Sequence, residues 1–190
     1  LWTGTGGKGG TLGPVSIVAD IDNDNSPEVI GGNTVYSSTG SIEDSVPLPD
    51  GYPATGDFDA DPEAEIVLVA QGIVYLLDTN LSTIWSNAIP GGGRGGPPTV
   101  ADYDDDGLPE VGVAGAISYT VWDTNGTQLW TSPTQDGTSN VTGSSVFDFD
   151  GNGSAEVVYR DETTLRVYDG PTGAVLWSEP MSSCTWYEYV

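Results

Sequence analysis

Four nine-residue segments carry most of the side chains in this sequence that can do chemistry. They read DIDNDNSPE at 20–28, DFDADPEAE at 57–65, DYDDDGLPE at 102–110 and DFDGNGSAE at 148–156. Each has an acid at positions 1 and 3, an acid or Asn at position 5 and Glu at position 9, and together they hold 17 of the 28 Asp and Glu residues. Side chains two apart in an extended chain share a face, so positions 1, 3 and 5 of a tight loop turn their oxygens to one side. Such oxygens suit a hard cation. Ca2+ takes roughly six to eight of them at about 2.3–2.6 Å and mixes carboxylates, backbone carbonyls and water, whereas Mg2+ demands strict octahedral geometry and holds its waters.

The expected Ca2+ ligands follow the same order in every copy. Side chains at positions 1, 3 and 5 are Asp20, Asp22 and Asp24; Asp57, Asp59 and Asp61; Asp102, Asp104 and Asp106; and Asp148, Asp150 and Asn152. Position 7 offers a backbone carbonyl from Ser26, Glu63, Leu108 or Ser154, and the carboxylate at position 9 closes each site: Glu28, Glu65, Glu110 or Glu156. A single copy would read as a solvated acidic turn. Four copies, starting 37, 45 and 46 residues apart, have the spacing of a repeat architecture. The closing Glu at position 9 also separates these loops from EF-hands, where it stands at about position 12 between helices.

Composition narrows the function classes. The chain has 190 residues, with 4 Lys and Arg, 28 Asp and Glu and no His, a formal net charge of −24. Four cations cannot neutralise a useful run of phosphates, so nucleic acid and anionic lipid are poor partners. Without His there is no Ser-His-Asp or Cys-His centre and no imidazole ligand. A single cysteine, Cys184, forbids an internal disulfide or a multi-cysteine zinc site. No apolar run approaches the ~20 residues of a membrane helix. The chain nevertheless carries 6 Trp, 9 Tyr and 3 Phe to fill a core. Acid without compensating base, in a chain able to build a core, calls for positive charge from outside.

The elements that must position these loops are strands. Segments such as PVSIVAD, AEIVLVA, PEVGVAG and AEVVYR are short, β-branched and bounded by Gly, Pro, Asn and Asp. Three units share a second landmark: Asp78, Asp123 or Asp169, 13 residues after the closing Glu, opens a turn that leads to Trp85, Trp130 or Trp177. These are hairpin signals. Each unit thus contains one strand before the acidic loop, one after it and two more in a hairpin. Four strands in ~40–45 residues make a propeller blade, with the Trp residues expected between blades. The expected class is all-β: four complete blades of four antiparallel strands at 14–50, 51–91, 92–135 and 136–181, with partial blades at both ends. Residues 1–13 read as the last strand of a preceding blade and 182–190 as the start of a further one, making the chain a fragment of a larger propeller.

The pattern D-x-D-x-D/N-G-x-x-D/E between two strands, as in VADYDDDGLPEVGVAG and SSVFDFDGNGSAEVVYRD, resembles the calcium-binding blade loop of FG-GAP and VCBS repeat propellers, above all the bacterial VCBS type. The resemblance covers essentially the whole chain. It implies a β-propeller with structural calcium on one rim; the Phe-Gly and Gly-Ala-Pro signatures of the integrin subgroup are poorly matched, so integrin-type partners do not carry over. The family favours Gly at loop position 6, where Gly107 and Gly153 comply and Asn25 tolerates positive φ. Pro62 cannot, its φ being fixed near −65°, so the 57–65 loop is expected to have altered geometry and weak or absent metal.

The expected function is that of a non-catalytic, calcium-stabilised binding or adhesion module, with protein or glycan ligands, located outside the cell or in the periplasm, where calcium is plentiful. No acid pair remains for catalysis once the loops are assigned. The alternatives are a structural part of a surface assembly or filament, and a carbohydrate-binding propeller like certain lectins and polysaccharide lyases. Further blades or copies are expected to complete the ring.

Overall fold

The computed structural model of the protein describes residues 2–3, 15–138 and 140–181. Position 1, all of 4–13 and all of 182–190, where the partial blades are expected, therefore lie outside the described residues, as does Cys184. Sixteen strands and no helix are present among those described, so no helix is long and apolar enough to cross a membrane.

The strands form four separate antiparallel sheets of four, each a simple meander. Blade one contains β1 (Ile17–Ala19), β2 (Glu28–Gly31), β3 (Thr34–Tyr36) and β4 (Ile42–Ser45). Blade two contains β5 (Tyr52–Gly56), β6 (Glu65–Ala70), β7 (Ile73–Leu77) and β8 (Thr83–Ala88). Blade three contains β9 (Thr99–Ala101), β10 (Glu110–Ala114), β11 (Ser118–Trp122) and β12 (Gln128–Pro133). Blade four contains β13 (Ser145–Phe147), β14 (Glu156–Arg160), β15 (Thr164–Tyr168) and β16 (Val175–Pro180).

First strands of successive blades touch, β1 to β5, β5 to β9 and β9 to β13, so they form the inner row about which the blades are arranged. The last strands lie outermost, and β4 and β16 are exposed throughout. The acidic nonamer always joins the first strand to the second, which places all four loops at the same position in their blades. Even irregularities repeat: each outer hairpin slips register at the same point, between Val35 and Tyr36, Leu76 and Leu77, Val121 and Trp122, and Val167 and Tyr168.

Faces of neighbouring blades make the core. Ile66 and Leu68 face blade one, packing with Ile21, Ile30 and Val35. The alternate residues Val67 and Val69 face blade three, packing with Val111, Val113 and Trp122. Strand β6 is therefore buried at every position, which is why its sequence is a continuous apolar run rather than an alternation. Between blades three and four the core is aromatic. Tyr119 lies against Trp130, Tyr159 and Tyr168, with ring centroids 5.4–6.0 Å apart, and its hydroxyl meets Thr99 and Ser144. Gly112 makes room for that hydroxyl, since a Cβ there would lie 2.5 Å from it.

Candidate metal sites

Each acidic loop brings three carboxylates together. The groups are Asp20, Asp22 and Glu28; Asp57, Asp59 and Glu65; Asp102, Asp104 and Glu110; and Asp148, Asp150 and Glu156, with one oxygen from each residue within 4.8 Å of the others. These are positions 1, 3 and 9 of the nonamer. Glu at position 9 opens the second strand of its blade and is buried in every copy. One of its oxygens accepts the position 2 backbone N–H in all four loops: Glu28 from Ile21 at 3.0 Å, Glu65 from Phe58 at 2.6 Å, Glu110 from Tyr103 at 2.6 Å and Glu156 from Phe149 at 2.8 Å. The other oxygen of Glu110 and of Glu156 is buried with no hydrogen-bond partner, as is one oxygen of Asp104.

Position 5 behaves differently. Asp24, Asp61 and Asp106 are not members of the three-carboxylate groups. Each, like Asn152, accepts the N–H of position 7: Ser26 at 2.7 Å, Glu63 at 3.1 Å, Leu108 at 2.8 Å and Ser154 at 2.7 Å. The sequence assigned position 5 to a cation alone; its first contact is to the backbone turn, and each Asp keeps a second oxygen.

Electrostatics shows what these clusters lack. Burial pushes the Glu110 carboxyl up to about 8, and the neighbouring Asp104, Asp106 and Asp102 push the same way against the Tyr103 hydrogen bond. Burial likewise raises Glu28 and Glu65, and raises Asp104 with help from Asp106 and Asp102. Buried charge without a partner is costly. Among the described residues, the ion pair joins Arg166 to Asp161, away from the loops. Carboxylate oxygens gathered within reach of one ion, some of them orphaned, are the donor set that a hard divalent cation satisfies.

Three loops share a backbone pattern that the fourth lacks. Asn25, Gly107 and Gly153 at position 6 have φ of 72°, 87° and 102°, and Asn23, Asp105 and Gly151 at position 4 have φ of 59°, 63° and 75°. These turns aim position 6 N–H groups at the first Asp, onto Asp20 at 2.9 Å, Asp102 at 2.9 Å and Asp148 at 3.1 Å. The 57–65 loop has neither positive φ, and Asp57 receives no such bond because Pro62 has no N–H. Its geometry is altered, as the proline implied, although Asp57, Asp59 and Glu65 still converge. The sequence reading missed position 4, where Asn, Asp and Gly tolerate the left-handed region and Ala60 does not. Replacing both residues, A60G/P62G, is expected to strengthen calcium binding at this loop and to add a tighter site in calorimetric titration. An unchanged isotherm would refute the role given to the two backbone positions.

Adjacent loops are also tied together. Ala64 N–H donates to the Ile21 carbonyl and Ala155 N–H to the Asp102 carbonyl, both at 2.8 Å. Blade three has Pro109 at that position and makes no equivalent bond.

No protein-family model matches the sequence, and no curated protein matches it. Several solved structures share its fold. The Vibrio cholerae biofilm matrix protein Bap1 is similar over 92% of this chain and 56% of its own, at 14% identity and a TM-score of 0.78. BBS1N, solved in complex with ARL6DN, is similar over 88% of this chain and 55% of its own, at 9% identity and a TM-score of 0.67. The rhamnogalacturonan lyase YesW is similar over 87% of this chain and 27% of its own, at 21% identity and a TM-score of 0.57. The chain thus spans about half the length of the first two. At these identities the likeness is one of propeller fold.

Proposed function

We propose that the protein is a calcium-binding β-propeller of the FG-GAP/VCBS type that acts outside the cell or in the periplasm as a non-catalytic binding or adhesion module. The observation that carries this reading is the fourfold recurrence of the same carboxylate trio, each closed by a buried Glu whose first oxygen is fixed by a backbone N–H. Positions 1, 3 and 9 would hold the ion, the second oxygen of position 5 and the position 7 carbonyl would complete its shell, and the ion supplies charge neutralisation rather than reactivity. Its role is to let an acidic loop be rigid. Rigid loops on one rim, tied in two adjacent pairs, are a surface on which a partner can be held. Open sites rich in carboxylates resemble extracellular modules that bind calcium at about 10⁻⁴–10⁻³ M, a range suited to the cell exterior.

Calorimetric titration tests the reading directly. Calcium is expected to bind at three or four sites, with magnesium much weaker. Absence of heat and of any stability change with calcium would overturn it. Glycan-array binding in calcium would move the assignment to the carbohydrate-binding alternative.

A further inference from the structure

Acids are divided unevenly between two neighbouring loops. The loop at 102–110 has five, Asp102, Asp104, Asp105, Asp106 and Glu110, whereas the loop at 148–156 has three, because Asn152 stands at position 5 where the other copies have Asp. The surplus acid is Asp105 at position 4, a place held by Asn23, Ala60 or Gly151 in the other loops. Asp105 is not a member of its own loop's carboxylate trio.

Its side chain lies against the next loop instead. A Cβ on Gly153, at position 6 of the 148–156 loop, would come within 2.5 Å of Asp105 Oδ1 and 3.1 Å of Oδ2, so the glycine makes room for this carboxylate. Gly153 is also the residue whose N–H donates to Asp148, at 3.1 Å. The surplus charge of one loop therefore rests on the residue that holds the first ligand of the other.

The junction is fixed on several sides. Asp105 N–H donates to Asp102 Oδ1 at 2.7 Å, and the Asp102 carbonyl accepts the Ala155 N–H of the 148–156 loop at 2.8 Å. Gly170, in the outer turn of blade four, closes the contact: a Cβ there would lie 2.5 Å from the carbonyl oxygens of both Tyr103 and Ala155. Its own carbonyl accepts the Trp130 indole N–H at 2.5 Å. Like charges pressed together in this way repel unless positive charge is placed beside them. Glu156 marks where that charge belongs. It is 1% exposed, one oxygen accepts the Phe149 N–H, and the other is buried without a partner in the group it forms with Asp148 and Asp150.

We propose that Asp105 serves the calcium site of the 148–156 loop, supplying from the adjacent blade the negative charge that Asn152 withholds. It acts through its charge and is not placed among the ligands. The inference rests on the calcium reading above and adds that an ion in this loop is held by acids of two blades, so that calcium there also fastens blade four to blade three.

Calorimetric calcium titration of the 190-residue chain tests it with Asp105→Asn, a conservative choice because Asn23 takes up the same left-handed turn. D105N is expected to weaken one site by about three- to tenfold in low salt and by less in high salt, as a charge effect should. In an E156Q background, where the 148–156 site is disabled, the same substitution should change nothing. Asn152→Asp puts the missing charge back within the loop, so D105N/N152D should recover the lost affinity. Weakening that persists in the E156Q background would assign Asp105 to its own loop and overturn the proposal, as would a double variant no tighter than D105N. Melting in EDTA controls for folding: D105N should melt no lower than the parent there, because a repulsion has been removed, and a lower value would make Asp105 a structural residue. Parent protein that takes up calcium while D105N binds it equally well refutes this inference alone, whereas parent protein that takes up none refutes the calcium reading beneath it.

Discussion

Removing divalent ions with EDTA is expected to strip the protein of most of its thermal stability. The reason is charge. Of the 28 acids, 17 lie in four loops against 4 cations in the whole chain, and four bound Ca2+ would move the net charge from −24 to −16. A ligand that binds only the folded state stabilises it by about 2.7 kcal/mol per site at a hundred times Kd. Three well-formed loops then contribute roughly 8 kcal/mol, comparable with the ~5–15 kcal/mol net stability of an ordinary domain. For a chain of this size each kcal/mol is worth about 2–4 °C, so the expected fall is on the order of 20 °C. Scanning calorimetry in calcium and in EDTA measures it. High sodium chloride should recover part of the loss by screening the exposed carboxylates, but not the part that comes from the buried Glu residues. An unchanged melting temperature in EDTA would remove the basis for the metal assignment.

The loops, the four-strand units and the hairpin turns were legible in the sequence because each rests on local chemistry. Acids at alternate positions, β-branched runs between Gly and Asn, and Asp-initiated turns all act within about ten residues. Pro62 was legible for the same reason, since a missing N–H and a fixed φ are properties of one residue. What the sequence hid depends on the next blade. Leu81 reads as an ordinary turn residue until Ile21, Ile30 and Val35 of the adjacent blade are found against it. Trp177 reads like Trp85 and Trp130, and the expectation that all three lie between blades holds for those two but not for Trp177, which stands half exposed. Gly112 looks like a weak point in a strand and turns out to accommodate two tyrosine hydroxyls from its own blade.

The acidic loops divide along the same line. Positions 1, 3 and 9 were readable as a cluster because loop closure alone brings them together. Position 5 was read as a ligand only, and its bond to the position 7 N–H follows from the turn needing an acceptor there. Position 4 was missed because its requirement is conformational. Asn23, Asp105 and Gly151 share tolerance of positive φ and nothing else, and a search for ligands passes over them.

Glu110→Gln is expected to change the sign of its effect with calcium. Glu110 is fully buried; one oxygen accepts the Tyr103 N–H and the other has no partner. Burial first, then the nearby aspartates, hold its carboxyl up to about 8, against an ordinary 4.5. In the metal-free protein this raised value means that the folded state keeps a proton the unfolded chain gives up. Its contribution is complete below about 4.5 and is lost as pH rises to about 8. Metal-free protein should therefore melt higher at pH 5 than at pH 8. Calcium reverses the trend, because the ion needs the carboxylate and binds more tightly as the proton leaves. Gln keeps an oxygen for the Tyr103 N–H and removes the charge. In EDTA at pH 8 the variant should melt at or above the parent, and in saturating calcium it should melt about 5–10 °C below it, the worth of one site. Equal loss in both conditions would make Glu110 a packing residue whose carboxylate has nothing to do with a metal.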